Sequence, residues 1–522
     1  MLPVLALLMV TAPAPATADV VLHVVPYTDS NAWSKEHVAK LAEFLTWCRE
    51  HNVKLAAFYF PVSEQSAAGV SDVLKRFVDD GTITVIGPQT VSHALGGLPY
   101  SIQYWEIDRS LKYTQNRFGT ADRVLHVPYW VLDENTLRAC LKCGVHILVS
   151  GTGPDVDADF CREKYPGLLQ VNPAGRHMLV GVWRTGNSIV YNLPAMSFVR
   201  DFGGRADKAL SEIKEGLRGL IQHGIVKDGD KLVLWLLLEP WQMDGATLRE
   251  FEALIERISE GITLTVNGVT ARIVLGDPRR VIENLESFKT VELPSPDYIK
   301  ILKYEGYTPV DELQVDPEIK LLYSTYIDIL RSIDRKLLAI IESGRMDGEL
   351  ERALDEVAQL AWNDAALCAA VEQWEDEELV KAHLKRLLAK TQELAYLVNA
   401  KYNELRRERS RSVREHATRT QEGQARQPTQ PPQASTPSQA KPGRSQPSTE
   451  SQAQRQPQRS TGESGRQGGK KRVERGGEVT GQRSGQTVST VSRPQRRVRR
   501  LPVAAVTLPV ALALIRLLRR AA

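Results

Sequence analysis

At 522 residues and a net charge of +4, the chain is too long for one ordinary domain, and the charge hides two parts of opposite sign. Residues 404–522 hold 25 Lys or Arg against 8 Asp or Glu, a surplus of 17 that leaves the part before them at −13. The tail is rich in Arg, Gln, Ser and Pro with almost no aromatics, which excludes a packed core there and suits an anionic surface rather than a specific nucleic acid. The five cysteines include one C-x-x-C, Cys140 and Cys143, without the second pair a zinc site needs. In an exported protein one of the two can pair with Cys161.

Leu2 to Val10 is apolar, and Ala16-Thr17-Ala18 after it is a small-residue cleavage site, so residues 1–18 read as a signal peptide. No Lys or Arg precedes the run, and the other reading of these residues is a short first strand. Val20 to Pro26 is a strand apolar on both faces apart from His23, as in a parallel sheet. An amphipathic helix over 34–51 and a second strand over 53–60 follow. Val70 to Val78 is helical, and Ile83 to Ile86 is a strand between Asp80-Gly81 and Gly87-Pro88. Ile102 to Phe118 is a helix closed by Gly119. Strands at 124–127 and 145–149 flank a short helix capped by Asp133 or Asn135. Further strands are expected at 179–183, 188–191, 231–238 and 262–266, with helices at 207–223 and 247–258.

Strand and helix alternate about seven times over 19–292, which predicts an α/β fold closed as a (β/α) barrel. Its chemistry belongs at the carboxyl ends of the strands, which hold Gln89, Ser92, His93, Pro128, Tyr129, Trp130, Ser150 and Thr152. Glu239, between the very apolar KLVLWLLL and Pro240-Trp241, is a carboxylate at a strand end beside an aromatic, a favourable sugar-site arrangement. Residues 293–407 read as a bundle of three or four helices, with Asp316 capping at Pro317 and breaks at Ser343-Gly344 and Trp374-Glu375. A disordered basic tether is expected over 408–500. The apolar segment 501–518, flanked by arginines, is expected to anchor the chain in or on a membrane, which would place the barrel on the extracellular face.

The order of segments from Val20 to Val398 resembles glycoside hydrolase family 57, retaining α-glucan enzymes with a seven-stranded barrel of the glycoside hydrolase/deacetylase type and a helical domain behind it. Leu22-His23-Val24-Val25-Pro26-Tyr27 sits where that family has a first-strand His-x-His-Gln-Pro. LKRFVDDGTITVIG with Leu98-Pro99, and Phe118-Gly119 with LHVPYWVLDENTL, match two further segments. Leu237-Leu238-Glu239-Pro240-Trp241 lies at the acid segment, and Asp316-Pro317-Glu318 and Ala361-Trp362-Asn363-Asp364-Ala365 resemble helical-part motifs. The resemblance implies action on, or binding of, an α-linked glucan or envelope glycan without a cofactor, with Glu239 as the acid. Tyr129 stands where the family has its nucleophilic Glu, so Asp29 and Tyr129 are the remaining candidates for that role. His23, His93, Gln89, Trp130 and Trp241 are the expected substrate-binding residues. Two alternatives remain open: a glycan-binding barrel without turnover, and a metal-dependent polysaccharide deacetylase with zinc on Asp29 and His93 and Gln89 as a weak third ligand. In an unrelated class, the bundle and basic tail would serve an envelope structural protein.

Overall fold

The computed structural model describes residues 14–25, 35–59, 69–90, 95–239, 244–374 and 376–425. The strands are β1 (Ala16–Val24), β2 (Leu55–Tyr59), β3 (Ile83–Pro88), β4 (Val124–His126), β5 (Ile147–Ser150), β6 (Val180–Thr185), β7 (Ser188–Ser197), β8 (Lys231–Leu238), β9 (Ile262–Val266), β10 (Val269–Leu275) and β11 (Thr290–Glu292). Around them in the first part run helices α1 (Lys35–Glu50), α2 (Val70–Asp79), α3 (Tyr100–Phe118), α4 (Glu134–Lys142), α5 (Ala158–Lys164), α6 (Pro173–Arg176), α7 (Ala206–Gln222), α8 (Gly245–Ser259) and α9 (Pro278–Glu283). The remaining helices are α10 (Tyr298–Tyr304), α11 (Pro317–Glu342), α12 (Gly348–Leu360), α13 (Asp364–Trp374) and α14 (Glu377–Ala425).

Seven strands form a nearly closed ring. β8, β1, β2 and β3 pair in that order, all parallel, and β4, β5, β7 and β8 pair likewise. A parallel bridge between Gln89 and His126 joins β3 to β4. The strands of the ring are buried on both faces, which is why they read as continuous apolar runs. β6 folds back on β7 as an antiparallel hairpin and carries β11, while β10 and β9 flank the start of β1.

Alternate residues face inward. Val21, Ala56, Phe58, Val85, Val124, Val149, Leu193, Ala195, Val233, Trp235 and Leu237 form the inner cluster, closed below by Val281, Leu285 and Phe288. The outer faces meet α1, α2, α7 and α8 through Leu22, Leu41, Phe77, Leu217 and Phe251. α11 to α14 form a four-helix arrangement whose core includes Ile102 and Trp105 of α3, so bundle and barrel share packed side chains. Asp133 and Asp316 cap their helices as expected, with Thr136 completing a reciprocal box.

Two expectations need correction, and the cysteine pairing left open above is answered. Ala16-Thr17-Ala18, read above as a cleavage site, lies within a strand, the other reading of these residues. It opens β1, paired with both β10 and β8, and cleavage after Ala18 would strip the first residues from the central strand. The last helix does not stop at Arg407. It continues to Ala425, since no Pro occurs between Asp376 and Arg426, so the boundary of 408 for the disordered tether falls inside a helix. All five cysteines are free. Burial pushes the Cys140 thiol well above its ordinary value, and Cys161 donates to the Pro154 carbonyl instead of forming a disulfide. The tail from 426 and the expected anchor at 501–518 lie outside the described residues. Among the described residues, no helix is long and apolar enough to cross a membrane.

Asp19, on the inward parity of β1, has its carboxyl pushed up to about 6 by burial, with Lys231 pulling the other way. The folded chain therefore keeps a proton that the unfolded chain loses above its ordinary value of 3.8. The stabilisation is full below that value and is lost as pH rises through about 6. Asp19→Asn is expected to stabilise the protein at pH 7 by about 2 kcal/mol. It should also flatten the fall of the urea midpoint between pH 4 and 6, and an unchanged pH profile would contradict this account.

Candidate functional site

The mouth of the barrel continues the inward rows. On β8, Trp235 and Leu237 point inward, and Glu239 is the next residue of that parity. On β7, Leu193 and Ala195 point inward and Ser197 comes next, in register with Leu237. Ser197 Oγ donates to Glu239 Oε2 at 2.5 Å and accepts the Arg200 backbone N–H at 3.0 Å. The Ser197 backbone N–H donates to Asp201 Oδ2 at 2.7 Å, and the Asp201 N–H returns to the Ser197 carbonyl at 3.0 Å. One serine thus holds two carboxylates, no farther apart than two short hydrogen bonds and its own width.

Arg200 extends from this turn across Trp130, its guanidinium carbon 4.2 Å from the ring centroid. Its Nε lies 3.4 Å from Asp201 Oδ1 and its Nη1 4.0 Å from Glu305 Oε2. Glu305 follows α10, outside the barrel in sequence, yet its carboxylate lies against Gly151 at the end of β5. A Cβ at position 151 would come 2.1 Å from the Trp130 ring and 2.5 Å from Glu305 Oε1, so the glycine leaves the slot both side chains occupy.

Below the mouth lie four uncharged side chains. His23 on β1 is in register with Leu237 of β8, two residues before Glu239. Its ring centroid is 5.7 Å from that of His126 and 5.8 Å from that of Trp235. Gln89 meets His126 across the β3–β4 seam. Among the described residues, His23 Nδ1 and Nε2, Gln89 Oε1 and Nε2, His126 Nδ1 and Trp235 Nε1 are buried without a hydrogen-bond partner. Such a concentration of orphaned polar atoms is unusual in a core. Burial, then His126, holds the His23 imidazole well below its ordinary value, and burial lowers His126 to about 3, so both are neutral. Trp130 Nε1–H, a donor only, faces His126 Nε2 at 3.3 Å, which leaves the His126 proton on Nδ1, itself one of the orphaned atoms. The cluster therefore offers donors from His126, Trp235, His23 and Gln89 and acceptors from His23 and Gln89, all without charge.

Of the residues expected from sequence, Glu239, His23, Gln89 and Trp130 meet in this region. Trp130 is buried under Arg200 rather than open as a stacking platform. Tyr129 lies in the turn after β4, next to Trp130. It takes the left-handed backbone conformation at φ 51° and packs edge-on against Tyr307, 5.6 Å between centroids. Asp29, His93 and Trp241 lie outside the described residues. Among the described residues, no group of three or more His, Cys, Asp or Glu is placed to hold a metal ion. His126, Ser197, Arg200, Asp201 and Glu305 were not foreseen as site residues. Period-two extension of β4 and β7 points to the first two, while nothing local in the sequence marks Glu305.

No family model matches the chain, and no curated protein does. Among solved structures it is similar to a 4-alpha-glucanotransferase from Thermococcus litoralis, at 11% identity and a TM-score of 0.45 over 73% of this chain and 60% of that one. It is also similar to a GH57-type branching enzyme from Pyrococcus horikoshii, at 12% and 0.43 over 74% and 95%. A third is an alpha-mannosidase from Enterococcus faecalis V583, at 10% and 0.43 over 75% and 43%. The chain spans three-fifths or less of the first and third of these proteins. At such identities the likeness concerns the course of the chain and not its chemistry.

Proposed function

We propose that the barrel mouth takes a neutral glycan, an α-linked glucan by the motif resemblance, and that Glu239 transfers the proton in its hydrolysis or transfer. The observation that carries the reading is the group of six hydrogen-bonding atoms, orphaned among the described residues, on neutral side chains inside the ring from Glu239. A sugar hydroxyl both donates and accepts, which matches a mixed set of uncharged donors and acceptors. Paired-carboxylate hydrolysis spans separations of about 5–9.5 Å, and the two carboxylates tied to Ser197 supply a pair at the mouth.

A second reading, binding without turnover, is favoured by one feature. The position that the resemblance assigns to the nucleophile is Tyr129, which has no carboxylate, and its ring packs against Tyr307. The two readings separate in one experiment. The full chain is incubated with maltoheptaose and soluble starch, and both chain-length products and binding are measured. New oligosaccharide lengths support the enzyme, and retention of glucan without products supports the binding barrel. Neither products nor retention would overturn the glycan reading.

A further inference from the structure

We propose that Arg200 is the residue that fixes which sugar hydroxyls face Glu239, and that Glu305, delivered from beyond the barrel, is the positioning residue that holds it. The inference rests on the glycan reading above. Arg200 belongs to the Glu239 network through its backbone, since its N–H binds the serine oxygen that donates to Glu239. Its side chain is constrained on two sides. Trp130 lies under the guanidinium plane, and Asp201 and Glu305 lie toward its edges.

The constraint is incomplete in a way that matters. The Glu305 contact, at 4.0 Å, exceeds a hydrogen bond, and among the described residues only Nε–H has an acceptor, at 3.4 Å. The side chain is 42% exposed, whereas Asp201 and Glu305 are 7% and 4% exposed. Buried carboxylates thus orient an open, planar donor fork over an aromatic face. Such a fork recognises two oxygens held side by side, which vicinal hydroxyls of a pyranose present. Charge sets the class of sugar. Among the described residues, Asp201 and Glu305 outnumber Arg200 even with the Glu239 proton in place, so an anionic substituent is disfavoured here and a neutral sugar is accepted.

Lysine at 200 keeps the charge but loses the fork and the stacked plane. Glutamine at 305 keeps the shape of the slot beside Gly151 and removes the charge that turns Arg200. The experiment is calorimetric titration of maltoheptaose into the full-length wild type, Arg200→Lys, Glu305→Gln and the double variant, with urea midpoints as the check on folding. Arg200→Lys is expected to weaken binding about tenfold or more, the scale of a lost charge-assisted hydrogen bond, at an unchanged midpoint. Glu305→Gln should weaken it about three- to tenfold in the wild type and have little effect in the Arg200→Lys background, a coupling that a merely structural role would not produce. Wild-type affinity in Arg200→Lys, or equal losses from Glu305→Gln in both backgrounds, would overturn the assignment while the glycan reading stands. If Arg200→Lys does not fold, Glu305→Gln alone decides, and unchanged affinity there overturns it. A wild type that binds neither maltoheptaose nor starch overturns both.

Discussion

Asp155→Ala is expected to lower stability by about 3–5 kcal/mol, the cost of leaving one partner of a buried ion pair alone. Asp155 and Arg176 have side chains only 6% and 10% exposed, with Nη2 and Oδ2 at 3.3 Å. The same oxygen accepts the Tyr304 hydroxyl at 2.8 Å. Alanine would strand a guanidinium whose remaining bond is to the Val171 carbonyl, and would leave the tyrosine hydroxyl without its acceptor. Asp155→Asn keeps an acceptor for Tyr304 and should cost less. Replacing Asp155 by Leu and Arg176 by Met together should recover much of the loss, because the desolvation of both charges disappears with them. The first cooperative transition in urea measures all three. A single alanine variant as stable as the wild type would show that the pair contributes nothing.

Glu239→Gln should reduce glucan turnover by about 10²-fold or more, the usual contribution of a positioned proton donor, equivalent to about 2.7 kcal/mol of barrier. Glutamine retains a carbonyl oxygen for the Ser197 hydroxyl, so the turn that carries Arg200 and Asp201 should stay in place. The loss should therefore fall on kcat, with KM nearly unchanged. In a binding barrel neither form turns glucan over, and both bind it about equally. Glucan turnover that survives the substitution intact would remove Glu239 from the mechanism and direct attention to Asp201 and Glu305.

Most of the ring is legible in the chain because parallel strands buried on both faces leave short, dense apolar runs between turn residues. KLVLWLLL marks β8 without ambiguity, and Glu239 stands out at its end. β7 was harder. Pro194 argues against a central strand, so the sequence pattern ends near Tyr191. It continues to Ser197, with Pro194 opposite Ser150, and the residue that organises the mouth lies in that missed extension. His126 reads as one more residue of a short strand until the β3–β4 seam places it against Gln89 and His23. Glu305 is invisible to local patterning, because only the folded path of α10 brings it to Gly151.

The segment that carries Glu305 limits how this protein can be divided. Tyr298 binds Asp364 of the helical part, Tyr304 binds Asp155 beside β5, Glu305 faces Arg200, and Tyr307 lies against Tyr129. A fragment cut at residue 292 would contain every strand of the ring and still lack one wall of its own mouth. The barrel is therefore not a portable module. Exchanging the helical part for that of another protein would alter the site even with every strand untouched, so the two parts must change together.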